Sequence, residues 1–219
     1  MKQSELDLFT TSERHQAIWI GKSSAVLPLF ALAEVETLLP ALRQIIRAAP
    51  LRHMITPGGQ QMSVALSNCG DLGWVSDRRG YRYTPLDPLS NQPWPALPEV
   101  LLELAARAAE AAGFAPFTPD ACLINCYVPG NRLSLHQDRD ERDYSHPIVS
   151  VSLGLPAIFQ FGGHQRSDRA QRVSLSHGDV VVWGGEDRLR FHGVLPLKPG
   201  EHPRLGQRRI NLTLRKAGP

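Results

Sequence analysis

From Cys122 onward, short runs rich in β-branched and aromatic residues recur at 122–128, 148–153, 158–161, 173–175, 180–183, 191–194 and 209–215. Turn formers separate them: Pro129-Gly130, Gly162-Gly163, His177-Gly178-Asp179, Gly184-Gly185 and Pro199-Gly200. Strands this short and this closely spaced leave little room for crossover helices, so the pattern predicts antiparallel pairing in a sandwich or jelly roll. Two helices precede them. Leu32, Val35, Leu38, Leu39, Leu42, Ile45 and Ile46 recur at helical spacing, with a kink or restart expected at Pro40. A second helix starts near Pro98, runs through Val100, Leu101, Leu104 and Ala108, and stops at Gly113. Between them, residues 54–98 hold a strand-like piece at 62–67, the aromatics Trp74, Tyr81, Tyr83 and Trp94, and five prolines from Pro85 to Pro98. That stretch is expected to be an ordered but irregular covering segment.

Composition narrows the class. At 219 residues the chain is long enough to bury a sizeable core, and 42% hydrophobic with 21% charged residues is an ordinary globular balance. The longest apolar runs fall far short of the roughly 20 residues that a membrane span needs, and the start MKQSELDLFT is too acidic for a secretory signal. A cytoplasmic location is therefore expected. Cys69, Cys122 and Cys126 form no CxxC pair, which argues for reduced thiols rather than a disulfide framework or a cysteine zinc site. From Glu186 to Pro219, eight basic residues face three acidic ones, a bias that suits an anionic partner but equally a solvated basic face.

His136-Gln137-Asp138 follows a strand-like stretch around Leu133 and Leu135, and His192 stands 54 residues beyond Asp138. Two imidazoles and one carboxylate can hold Fe(II) on one face and leave the opposite positions open for a co-substrate and O2. The HxD spacing fits because side chains two apart on an extended segment point the same way. Chance alone supplies about 0.4 such pairs in a chain of this composition, and a second one, His177-Gly178-Asp179, is indeed present. Its central glycine and the following Val180-Val181-Val182-Trp183 resemble a turn entering a strand, and no later histidine stands at a comparable distance. The bland alternative for His136, Asp138 and His192 is a set of polar loop residues.

The last strand-like run gives independent support. Arg209, Asn211, Thr213 and Arg215 alternate with Ile210, Leu212 and Leu214, so one face is polar and the other wholly apolar. Two arginines turned into a barrel need anionic partners, and a dicarboxylate would supply one carboxylate to each guanidinium through paired hydrogen bonds. An exposed edge strand whose arginines meet water is the competing reading.

The segments MITPGGQQMSVALSNCGDLGW, PDACLINCYVPG, LSLHQDRDE, PIVSVSLGLPAIFQFGG, HGDVVVWGGE and RRINLTLR carry a family likeness. From about Leu51 to the end, the sequence resembles the bacterial members of the AlkB family of Fe(II)- and 2-oxoglutarate-dependent nucleic-acid dealkylases; the first fifty residues match loosely. The resemblance implies a mainly β fold with flanking helices, a double-stranded β-helix or jelly roll. It implies one domain over 1–219, with an N-terminal extension and helix at 1–50, a nucleotide-recognition lid and linker at 51–98, a supporting helix at 99–113 and a catalytic core at 120–219. His136, Asp138 and His192 would bind the iron, while Asn125, Tyr127, Arg209, Asn211 and Arg215 would hold 2-oxoglutarate, with O2 as the other co-substrate.

For the substrate, the resemblance implies that Trp74, Tyr81, Arg82 and Tyr83 lie in the lid, that Asp140 sits beside the damaged base and that Arg166 reaches the nucleic acid. The implied activity is oxidative demethylation of bases such as 1-methyladenine and 3-methylcytosine in DNA or RNA, with formaldehyde, succinate and CO2 as products. The expected partner is alkylated DNA, single-stranded or with its base flipped out, met by a monomer. An extruded base needs an aromatic face, and a cationic methylated base favours a nearby carboxylate. Gln60 stands where similar family members carry an aromatic residue, which bears on substrate range. Two rivals are a dioxygenase of this fold acting on a small molecule or protein, and a nucleic-acid binder with a vestigial site. The first has no need of Trp74, Tyr81 and Asp140 in a lid, and the second none of Arg209 and Arg215 beside an intact triad.

Overall fold

The computed structural model describes residues 16–218. In chain order its elements are β1 (Ile18–Trp19), β2 (Ser24–Leu27), α1 (Val35–Ala48), β3 (Ala65–Gly70), β4 (Gly73–Asp77), β5 (Gly80–Thr84) and α2 (Glu99–Ala111). They continue with β6 (Ala121–Tyr127), β7 (Leu133–His136), β8 (Ile148–Gly154), β9 (Ala157–Phe161), β10 (Gln171–Leu175), β11 (Val180–Trp183), β12 (His192–Val194) and β13 (Arg209–Arg215). Seven strands form one sheet in the order β1-β2-β11-β8-β13-β6-β3, four form a second in the order β10-β9-β12-β7, and β4-β5 make a separate hairpin. Every pairing is antiparallel, which makes the architecture the jelly roll that the strand spacing predicts.

The large sheet buries both of its faces, and strand alternation decides what each receives. On one side Ile124, Val149, Val151, Val180, Val182, Leu212 and Leu214 pack against Leu38 and Leu42 of α1 and Leu101, Leu104 and Ala108 of α2. On the other, Tyr127, Ile148, Val181 and Trp183 meet Ala157, Phe159, Phe161, Leu175 and Val194 around the small sheet. All seven residues of β13 are buried, so its apolar side faces the helices and its polar side faces inward; the solvated-edge reading is set aside.

Two local expectations are corrected. Helix α1 passes through Pro40 unbroken, because the proline sits on the exposed side while Leu38, Leu39, Leu42 and Ile45 dock as one buried stripe. Residues 54–98 are more regular than their proline content suggests: β3 pairs with β6 in the large sheet, and β4 and β5 form a hairpin whose register places Trp74 opposite Tyr83. Strand β2, which lies between Gly21 and Pro28, pairs with β11. Residues 1–15 lie outside the described residues. No helix among the described residues is long and apolar enough to cross a membrane, and all three cysteines are free and buried.

Gly154 ends β8 opposite Arg209 with φ of 93°, and a β-carbon at this position would lie only 2.3 Å from the Arg208 carbonyl oxygen. Gly154→Ala is therefore expected to destabilise the protein by at least about 1–3 kcal/mol, the usual cost of strained backbone. Urea unfolding checks this, with an unchanged midpoint as the contrary result.

Candidate active site

His136 closes β7 and His192 opens β12, and the two are register partners in adjacent antiparallel strands. That pairing brings their rings to 4.4 Å between centroids. Asp138 follows in the loop after β7, with one carboxylate oxygen 3.5 Å from His136 Nε2 and the other 3.7 Å from His192 Nε2. One ligand atom from each residue lies within 4.8 Å of the others, the spread expected of donors arranged around a single ion.

The protonation pattern suits a metal. His136 Nδ1 lies 2.9 Å from the Ser134 carbonyl and His192 Nδ1 lies 3.0 Å from the Arg190 carbonyl. A carbonyl only accepts, so each Nδ1 must donate, and Nε2 of each ring is the atom that faces the carboxylate. Burial, then the neighbouring His136 ring, pushes His192 down to about 4, which keeps it neutral. Burial alone would raise the Asp138 carboxyl, but Arg215 and then the imidazoles hold it well below the usual carboxylate range. For His136, the lowering by burial is outweighed by its hydrogen bond and charge interaction with Asp138, and its affinity for protons rises.

The same pocket is lined by Asn125, Tyr127, Trp183, Arg209, Asn211 and Arg215. Arg209 is 1% exposed, donates from Nη2 to Ser152 Oγ at 3.0 Å and lies over the Tyr127 ring at 5.1 Å. Its Nε and Nη1, together with the Tyr127 hydroxyl, are buried without a partner. A guanidinium with two open N–H groups beside an open phenol is the donor set for a carboxylate, since unpaired buried donors are otherwise costly. The residues present thus fit both groups: a divalent metal on the three ligands and an oxyacid on Arg209 and Tyr127. Asn211 donates to Ser150 Oγ at 2.8 Å and the Val151 carbonyl at 3.1 Å and accepts from Thr213 at 3.1 Å.

Arg215, expected to grip one carboxylate of the co-substrate, is paired within the chain in this structure. Its Nη2 donates to Asp138 Oδ2 at 2.7 Å, and its Nε lies 3.2 Å from Glu141 Oε1. It lines the pocket, but its anionic partners come from the chain itself. Glu141 also accepts from the Tyr83 hydroxyl at 2.7 Å and from Arg188 Nη2 at 3.1 Å, and Arg188 Nη1 donates to the Asp138 carbonyl at 2.7 Å. Neither Glu141 nor Arg188 stands out in the sequence: Glu141 sits in the run DRDERD, which reads as a solvated loop, yet it is only 6% exposed.

The hairpin stands at the same loop. Trp74 and Tyr81 stack at 5.5 Å with 15° between planes, and Trp74 Nε1 donates to Asp140 Oδ2 at 2.8 Å. Trp74, Tyr81, Tyr83 and Asp140 are thus drawn together, two residues from Asp138. Arg82 is turned away into an ion pair with Asp77 at 2.7 Å, and Arg166 is exposed in the loop between β9 and β10. The competing HxD pair is explained structurally: His177 Nδ1 lies 2.9 Å from the Gly154 amide nitrogen and accepts its proton, and Asp179 accepts from the Leu29 and Ser176 amides.

Residues 25–215 match the family model of the 2OG-Fe(II) oxygenase superfamily. The chain is 54% identical over 213 residues to the alpha-ketoglutarate-dependent dioxygenase AlkB of Escherichia coli K12, covering 97% of this chain and 98% of that one. It is 44% identical over 186 residues to an AlkB homolog of Caulobacter vibrioides, covering 84% and 81%. Among solved structures, OsALKBH1 superposes with a TM-score of 0.79 at 27% identity, covering 91% of this chain and 99% of that one.

Proposed function

The chain belongs to the 2OG-Fe(II) oxygenase superfamily, and from that premise we propose that it removes alkyl groups oxidatively from nucleic-acid bases, a direct reversal of alkylation damage. The observation that carries this reading is one pocket holding His136, Asp138 and His192 beside the open donors of Arg209 and Tyr127. Similar proteins include the AlkB dioxygenases and, over 161 residues at 29% identity, a tRNA demethylase of Schizosaccharomyces pombe. When Fe(II), 2-oxoglutarate and O2 are bound, they supply hydroxylation of an N-alkyl carbon, with succinate and CO2 released and formaldehyde lost from the base.

The chain's own residues do the rest. Nε2 of His136 and of His192, with the Asp138 carboxylate, would hold the iron; Arg209 and Tyr127 would orient the co-substrate, with Asn125, Asn211 and Arg215 shaping the pocket walls. Trp74, backed by Tyr81, offers a flat apolar face on which an extruded base can stack. Asp140 favours a cationic base over a neutral one, as 1-methyladenine and 3-methylcytosine are. Arg166, exposed at the surface, would meet the phosphates, and Arg82 would hold the hairpin turn through Asp77. A duplex hides its bases, so the preferred DNA is single-stranded or has its base flipped out.

Trp74→Ala is expected to weaken binding of a methylated oligonucleotide by roughly 5- to 150-fold, the equivalent of about 1–3 kcal/mol of stacking. Asp140→Asn is expected to slow repair of 1-methyladenine and 3-methylcytosine more than repair of neutral 1-methylguanine. Paired repair assays on the three lesions check this. Equal slowing on all three would remove the charge role, and unchanged turnover in both variants would point to a substrate other than nucleic acid.

A further inference from the structure

The buried side chains behind Asp138 form a charge-balanced relay that the reaction itself does not call for. Asp138 and Glu141 supply two carboxylates; Arg215 and Arg188 supply two guanidinium groups; all four side chains are less than 10% exposed. The Glu141 carboxylate touches both arginines, with Oε1 3.2 Å from Arg215 Nε and Oε2 3.1 Å from Arg188 Nη2. The same Oε1 accepts from Tyr83 on the hairpin at 2.7 Å. Arg215 in turn bonds Asp138 Oδ2, and Arg188 holds the Asp138 backbone carbonyl.

We infer that Glu141 is a positioning residue for the metal centre: through Arg215 and Arg188 it sets the orientation of Asp138 and cancels the positive charge behind it, and through Tyr83 it ties the hairpin to that setting. The inference rests on reading His136, Asp138 and His192 as the metal ligands. With Glu141 ionised, the four side chains sum to no net charge. Neutralising Glu141 leaves an unbalanced buried guanidinium beside a site that must take a divalent cation, and charges in a poorly solvated setting are weakly screened. Arg215 would then also pull harder on the carboxylate that the metal needs. Outer partners of this kind commonly control metal affinity.

The test is a titration of metal-free protein with Co(II), followed by its ligand-field absorption. Wild type is expected to bind one Co(II), and Asp138→Ala to abolish that binding; failure of this control would remove the metal-site reading itself, separately from the role of Glu141. Glu141→Gln keeps the shape of the side chain, removes its charge and turns one of its two acceptor oxygens into a donor. In folded Glu141→Gln the Co(II) dissociation constant is expected to rise about tenfold or more, within the usual range for loss of an outer partner, with a parallel rise in the KM for Fe(II). A smaller rise, or a loss confined to kcat, would be a merely structural effect and would overturn the inference. Should Glu141→Gln fail to fold, Tyr83→Phe decides, since it frees the same Oε1 without touching an ion pair. A roughly threefold or greater weakening of Co(II) binding is expected there, and a smaller change overturns the inference.

Discussion

His136→Ala and His192→Ala are each expected to lower turnover by well over about 100-fold, beyond the 10- to 100-fold that loss of an outer partner costs. Each change deletes one of the two Nε2 atoms that face Asp138, and two ligands hold Fe(II) poorly. The strand pairing between β7 and β12 is made by backbone, so both variants should fold; His136 is partly exposed and contributes little packing, whereas loss of His192, buried against Trp183 and Phe159, should also cost some stability. His177→Ala is the matched control and should be mild, since that imidazole accepts from the Gly154 amide at the end of β8 and touches none of the three ligands. The check is formaldehyde release at saturating iron and 2-oxoglutarate, with far-UV circular dichroism on each variant. Comparable loss at His177 with activity kept at His136 would assign the chemistry to the other HxD pair.

Arg209→Lys is expected to raise the KM for 2-oxoglutarate by roughly 10- to 150-fold. Arg209 presents two unpartnered N–H groups, from Nε and Nη1, in the fixed planar geometry of a guanidinium. An ammonium on a flexible stem offers the charge but cannot reproduce the paired geometry, so about one charge-assisted hydrogen bond of about 1.5–3 kcal/mol is lost. Arg215→Lys should act differently. Its guanidinium is already paired with Asp138 and Glu141, so the first effect should be on iron affinity rather than on 2-oxoglutarate. Initial rates over a range of each co-substrate separate the two. If both variants shift only the 2-oxoglutarate constant, the arginines act as equals, as the alternating strand alone suggests.

What the sequence made legible is whatever rests on period and spacing. Alternation in β13 announces a polar face and an apolar face, and the structure buries both. Turn residues between 122 and 215 announce the jelly roll because glycine and proline act locally. His136 and His192 are separated by 56 positions yet become register partners, which no local pattern encodes; only the HxD pair hinted at it. Less legible are features decided by tertiary packing. Glu141 lies among alternating charges that would be solvated in isolation, and it becomes buried only because Arg188 and Arg215 arrive from elsewhere in the chain. Strand β3 is announced only in part, by the strand-like piece at 62–67, because Asn68 and Gly70 are poor strand formers whose place in the sheet depends on β6 alongside. Helix α1 continues through Pro40 because burial of one apolar stripe outweighs the loss of a backbone bond.

The central claim is that one site couples consumption of 2-oxoglutarate to removal of an alkyl group from a base. Succinate and formaldehyde should be quantified together in reactions of the wild-type protein with single-stranded DNA carrying 1-methyladenine, with iron and 2-oxoglutarate each omitted in turn. Equal amounts of succinate and formaldehyde are expected, appearing with restored adenine and vanishing when either component is left out. Succinate formed at the same rate with and without the methylated strand, and no formaldehyde or restored adenine, would contradict the account.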